Sequence, residues 1–82
     1  MPDTQRQPTI NLQLFGGLSS FRPDNQGHYP IIPGMTVLEV MEQLTIPTDR
    51  AFSIFVNDKK VTLDFQLEEN HDLKIFPLMG GG

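Results

Sequence analysis

Five residues, Leu78-Met79-Gly80-Gly81-Gly82, carry the pattern in this sequence with the most chemistry to offer. Glycine costs more backbone entropy to order than any other residue and has no side chain to pack, so three in a row beyond a structured segment serve no packing purpose. The run is either a frayed end or a working part. As a working part, an extended segment without Cβ atoms slides through a channel too narrow for side chains. It then presents the unhindered carboxylate of Gly82 to a partner's chemistry.

Other residues of reactive type are poorly placed for joint work. His28 and His71 lie far apart with no third ligand at metal spacing, which predicts two solvated histidines and no metal centre. Glu68, Glu69 and Asp72 form an acidic run. Such runs are usually solvated, and this one could also meet a basic partner face. Gly16-Gly17-Leu18-Ser19-Ser20 lacks the lysine and spacing of a phosphate loop. With no cysteine, the chain has no thiolate nucleophile and no disulfide of its own, so any sulfur it handles is borrowed.

The 82 residues amount to one small domain with a single core. Six Lys+Arg against ten Asp+Glu give a formal charge of −4, which argues against nucleic acid or anionic lipid as partners and favours a basic partner surface. A polar first segment without a signal-peptide core, and no run of membrane-spanning length, predict a soluble, cytoplasmic protein.

Hydrophobic periodicity predicts the elements that hold the tail. Residues 1–8 read as a flexible leader. Ile10, Leu12 and Leu14 alternate with Asn11, Gln13 and Phe15 as in a half-buried strand, ended by Gly16-Gly17. A helical turn over Leu18 to Phe21 and a loop over Arg22 to Gly27 follow. His28 to Ile32 is a short second strand, placed at a sheet edge by Pro30, which cannot donate to a ladder. Thr36 and Glu39 have capping-box spacing, and Val37, Val40, Met41 and Leu44 form one apolar stripe, so a helix starts at Thr36 and stops near Thr45, before Pro47. Ala51 to Val56 alternates again, Asn57-Asp58 turns the chain, and Lys59 to Thr62 returns it. Leu63 to Asp72 is a connection with apolar anchors Leu63, Phe65 and Leu67. Leu73 to Phe76 is the last strand, closed by Pro77. The order predicts an α+β roll with one main helix across a mixed sheet of four to five strands. By the same alternation, if Leu73 and Ile75 face the core, then Lys74, Phe76 and Leu78 face away from the helix, as does Phe55. Outward aromatics beside the tail suggest a docking patch; the plainer alternative is that they cover a sheet edge.

This order, with Pro33-Gly34-Met35-Thr36-Val37-Leu38 opening the helix, Val56-Asn57-Asp58 at the hairpin, Leu63-Asp64 with Leu67 in the crossing and Phe76-Pro77-Leu78-Met79-Gly80-Gly81-Gly82 at the end, resembles the ThiS/MoaD family of ubiquitin-like sulfur carriers. The resemblance implies a β-grasp domain over residues 9–77 and a flexible tail over 78–82. It also implies that Gly82 is adenylated by an ATP-dependent enzyme of the ubiquitin-activating type and converted to a thiocarboxylate. A second partner, resembling the large subunit of molybdopterin synthase or a thiazole synthase, would accept the sulfur. Gly80 and Gly81 would thread the partner channel, and Phe55, Phe76, Leu78 and Met79 would dock. Gly80 stands where many members have another small residue, and Leu78 replaces a proline that often follows Pro77. The protein would bind no cofactor stably and would not itself be an enzyme. ATP would be used by the partner. The alternatives are a ubiquitin-like modifier conjugated through Gly82 and a non-covalent β-grasp interaction module. Loss of Gly81-Gly82 separates the last from the others.

Overall fold

The computed structural model describes residues 7–48 and 52–77. Strand β1 (Thr9–Leu14) leads through a 3-10 helix (Gly16–Phe21) and a second short 3-10 turn (Gln26–His28) to β2 (Tyr29–Pro30). Helix α1 (Val37–Gln43) follows, then β3 (Phe52–Val56), β4 (Lys59–Val61) and β5 (Asp72–Pro77). The expected order is found, in one five-stranded mixed sheet ordered β2-β1-β5-β3-β4. β5 is the middle strand, parallel to β1 and antiparallel to β3.

The second strand is shorter than the alternation predicts. Only Tyr29 and Pro30 pair, with Ile10 and Thr9, because the backbone turns away after Ile31, whose N–H donates to the carbonyl of Pro8 at 3.0 Å. Pro30 does lie on an edge strand, where its missing N–H costs nothing. The Gln7 side chain donates to the Ile31 carbonyl at 3.1 Å.

One face of the sheet is dry. Ile10, Leu12 and Leu14 of β1, Ile54 and Val56 of β3, and Leu73 and Ile75 of β5 are buried beneath Val37, Val40 and Met41 of α1, with Leu67 and Met35 closing the end. At about 1.5–3 kcal/mol for each large apolar side chain removed from water, this layer is the main source of stability.

The helix begins where the sequence placed it. The Glu39 N–H donates to Thr36 Oγ1 at 3.2 Å and the Thr36 N–H donates to Glu39 Oε1 at 2.9 Å, completing the capping box. The next two donors of the first turn, on Val37 and Leu38, reach the carbonyls of Phe65 and Leu63 at 3.1 and 2.9 Å. The crossing from Leu63 is thus pinned to the helix start, and an isolated bridge between Thr36 and Gln66 holds it there. At the other end the Ile46 N–H reaches the Met41 carbonyl and the Thr45 N–H the Glu42 carbonyl, both at 3.0 Å. This is a Schellman closure, but its left-handed position is held by Thr45 at φ 62°, where glycine is the usual occupant.

The hairpin turn Asn57-Asp58 has φ of 53° and 70°, the mirror-image turn that suits the twist of paired strands. Asn57 also ties the hairpin to β5. Its N–H donates to the Asp72 carbonyl at 3.0 Å and its Oδ1 accepts the Asp72 N–H at 2.9 Å. Tyr29 donates its hydroxyl to Gln43 Oε1 at 2.7 Å across the sheet–helix gap, and burial raises its pKa above the ordinary phenol value.

Candidate functional site

The side of the sheet that faces away from α1 carries a cluster of aromatic residues. Strand alternation places Phe76 of β5 and Phe55 of β3 there, because their neighbours Ile75, Ile54 and Val56 are buried against the helix. In the β3–β5 register Phe76 lies opposite Ser53, and Phe55 lies opposite Lys74, so the two rings are diagonal neighbours. Their centroids are 5.8 Å apart with the planes at 90°, an edge-to-face contact. Both sequence-selected aromatics are therefore brought together, half-buried, on one face.

A third ring joins them. The parallel ladder between β1 and β5 runs one residue beyond Leu14, with the Phe15 N–H donating to the Ile75 carbonyl at 3.1 Å. This brings Phe15 beside Phe76, centroids 4.3 Å apart and planes within 4° of parallel. Alternation puts Phe15 on the outer side with Asn11 and Gln13, yet no local signal names its neighbour. Only the long-range parallel register does. Phe15, Phe76 and Phe55 form a row across three strands, and Phe76, in the middle strand, touches both others.

The tail follows Pro77 directly in sequence. Leu78, Met79, Gly80, Gly81 and Gly82, assigned above to docking, threading and reaction, lie outside the described residues. Pro77 itself is placed by two neighbours. It pairs with Phe52 of β3, and on the other side Gly16, at φ 59°, comes so near that a Cβ on it would stand 3.1 Å from Pro77 Cγ.

Charge around the rings differs from the whole-chain balance. Phe55 sits in register between Lys60 of β4 and Lys74 of β5, the latter 3.5 Å from the exposed Asp58 carboxylate. Glu68, Glu69 and Asp72 gather instead at the start of β5, and six strand residues put that end about 17 Å from Pro77. Asp72 there accepts from Asn11 Nδ2 at 3.1 Å. The acidic run lies away from the aromatic row.

His71 is partly exposed and has a local structural role that its turn-rich setting does not reveal. Its Nδ1 accepts the Glu68 N–H at 3.1 Å and its ring lies 5.8 Å from that of Phe65, so it closes the turn before β5. His28 is exposed. Among the described residues no three His, Asp or Glu side chains gather as metal ligands would, and no helix is long and apolar enough to cross a membrane.

A chain with this sheet order, a central last strand and a glycine tail can be compared with known proteins. A family model described as the ThiS family matches residues 13–82, from the second half of β1 to the final glycine. Among solved structures, that of SAMP1 from Haloferax volcanii matches with a TM-score of 0.65 at 15% sequence identity, covering 90% of this chain and 99% of that chain. The shared architecture is the ubiquitin-like β-grasp. A search of curated proteins gives no significant match.

Proposed function

The chain belongs to the ThiS family, and from that premise we propose that it is a sulfur carrier whose reacting group is the carboxylate of Gly82. A carboxylate is a weak electrophile until one oxygen becomes a good leaving group. An activating partner supplies that by letting a Gly82 oxygen attack the α-phosphorus of ATP, expelling pyrophosphate and leaving an acyl adenylate. Hydrosulfide-level sulfur then attacks the acyl carbon and AMP departs, so the C–O bond to AMP is exchanged for a C–S bond. The product is a thiocarboxylate, a soft nucleophile that a second partner uses to place sulfur in a cofactor precursor.

This chain's contribution is position. Gly80, Gly81 and Gly82 carry no side chain to obstruct a channel, and Phe15, Phe55 and Phe76 form the surface against which the partner closes, joined by Leu78 and Met79. Holding the acyl group in one place converts a bimolecular encounter into an internal step, the main advantage a carrier can supply. ATP, metal and general acids belong to the partners. The observation that carries the reading is the aromatic row on the outer face, with only Pro77, Leu78 and Met79 between its central Phe76 and the glycine run in sequence. The Phe76-Pro77 ending favours molybdenum or tungsten pterin synthesis as the destination, with thiamin thiazole synthesis next. A ubiquitin-like modifier would share the activation and differ in the acceptor, a lysine amine in place of sulfur.

The deciding experiment is intact mass after incubation with ATP, the cognate activating enzyme and a sulfur donor. Replacement of one oxygen by sulfur, abolished by removing Gly82, is the expected result. Lysine-linked adducts alone would select the modifier reading. A chain lacking Gly81-Gly82 that keeps full function would refute both covalent readings.

A further inference from the structure

The loop after the first 3-10 helix lies against β1, where the turn Gln26–His28 packs on the strand, and the two enclose a cleft of about 580 Å3. Asn11, Gln13, Phe15, Arg22 and Gln26 line it. Asn11, Gln13 and Phe15 belong to the outer side of the sheet, so the cleft lies at the Phe15 end of the aromatic row. Among the described residues Arg22 is the one charged side chain in the lining, and no Asp or Glu joins it. Arg22 is exposed, and its guanidinium has no hydrogen bond or ion pair; only its backbone N–H is used, donating to the Ser19 carbonyl at 3.2 Å. The neighbouring acid, Asp72, lies beyond Asn11, whose Nδ2 donates to its carboxylate at 3.1 Å.

We infer that this cleft receives the carboxylate of an Asp or Glu on the activating partner, and that Arg22 determines which partner surface the outer face accepts. The inference rests on the carrier reading, which supplies that partner. The guanidinium is a planar fork that donates two parallel N–H bonds to one carboxylate, and the carboxamides of Gln13 and Gln26 add neutral donors to the same cleft. Phe15 lines the cleft and stacks on Phe76, so a partner seated on the rings brings its own side chains to Arg22. At the other end of the row Phe55 stands in register between Lys60 and Lys74. Cations therefore flank the rings at both ends, although the chain carries a formal charge of −4. The complementary surface is apolar at its centre and acidic at its rim. Docking also withdraws water from Arg22, which strengthens the pair relative to an exposed one, and a partner with Lys or Arg at that point is rejected by like charge.

The test is titration calorimetry of the full chain with its cognate activating enzyme. Arg22→Gln is expected to raise the dissociation constant about five- to tenfold, and Arg22→Glu about 30-fold or more, because repulsion then replaces the pair. Lys59→Gln removes the same charge from the other side of the sheet, since Lys59 pairs with the buried Val56, and its binding should stay within about twofold of wild type. Arg22→Lys gives a second measurement. Carbodiimide activates a carboxylate as an O-acylisourea, and an amine in contact with it displaces the urea and forms an amide. In the complex, the amine introduced at position 22 should be joined to an Asp or Glu of the partner, identified by mass spectrometry of the digest. Equal effects of Arg22→Gln and Lys59→Gln, or an Arg22→Lys complex that yields no such crosslink, overturn the assignment and leave the carrier reading standing. A wild-type chain that the activating enzyme neither binds nor adenylates refutes the carrier reading, and the assignment falls with it.

Discussion

Replacing Phe76 with alanine should cost both stability and docking, by amounts that the ring geometry sets separately. Phe76 stacks on Phe15 at 4.3 Å and meets the edge of Phe55 at 5.8 Å, whereas Phe15 and Phe55 each make one of these contacts. An aromatic pair contributes about 0.5–1.5 kcal/mol beyond its area burial, so the two pairs lost in Phe76→Ala account for about 1–3 kcal/mol on top of the half-buried ring's own burial, and the one pair lost in Phe55→Ala for about half that. A domain of this size has only about 3–5 kcal/mol from its core, so Phe76→Ala should lower the urea midpoint strongly, and the folded fraction of the variant is measured before its docking is compared. A double-mutant cycle on Phe15 and Phe76 isolates the stack, with an expected coupling of about 1 kcal/mol. For docking, a central aromatic anchor is worth about 2 kcal/mol or more, so the dissociation constant for the activating partner should rise about 30-fold. Titration calorimetry with folded variant reads this, with Glu42→Ala on the exposed side of α1 as the reference. Coupling indistinguishable from zero would refute the stack as a stabilising unit. A Phe76→Ala affinity no weaker than that of Glu42→Ala would refute the docking face.

Two further outcomes follow from residues away from the tail. Thr45→Gly should stabilise the domain, because a non-glycine residue in the left-handed region costs about 1–2 kcal/mol while glycine's extra unfolded-state freedom returns about 0.5–1 kcal/mol. The net gain corresponds to a rise of roughly 2–8 °C in Tm, and a fall in Tm would show that the Thr45 side chain has a role beyond closing the helix. Tyr29 is the only tyrosine and there is no tryptophan, so its ionisation can be followed directly by ultraviolet absorbance. Burial raises its folded pKa above the unfolded value near 10.0, so its contribution is fully present below that pH and is lost as pH rises through the folded value. Wild type should therefore lose stability at alkaline pH more steeply than Tyr29→Phe. Equal slopes would refute the linkage.

How much of this was legible in the sequence depends on the range of the interaction. The capping box needs only Thr36 and Glu39, three residues apart, and it formed as expected. Alternation within one strand was enough to put Phe55 and Phe76 on the outer face. Phe15 obeyed the same alternation, but its partner is set by a parallel register joining residues about sixty positions apart, which no local pattern encodes. The connection from Leu63 looked structureless for the same reason. Its carbonyls complete the first turn of α1, a hydrogen-bond requirement visible only once helix and crossing are placed together. Thr45 gave no warning, since a helix end with neither glycine nor asparagine does not advertise a left-handed residue. The net charge carried no information about position, because a sum over the chain says nothing about lysines flanking Phe55 while the acidic run lies at the far end of β5.

The sheet order gives the tail's root a mechanical role that an edge strand could not have. β5 lies between β1 and β3, so freeing its last residues breaks two ladders, whereas an end strand such as β4 frays by losing one. Local opening is easiest where few buried contacts and exposed backbone bonds hold a segment, and neither describes β5, whose Leu73 and Ile75 are fully buried. Phe76 and Pro77 take this support as far along the chain as it can go, the first through rings on both neighbouring strands and the second through Phe52 and the bare backbone of Gly16. Beyond them the sequence offers no side chain after Met79. In sequence only Leu78 and Met79 separate Pro77 from the glycine run, so under the proposed carrier role a partner that grips the aromatic row also limits how far the Gly82 carboxylate can reach. On that reading the fold acts as a ruler for the reacting group, and it does so through β5, the strand held on both sides.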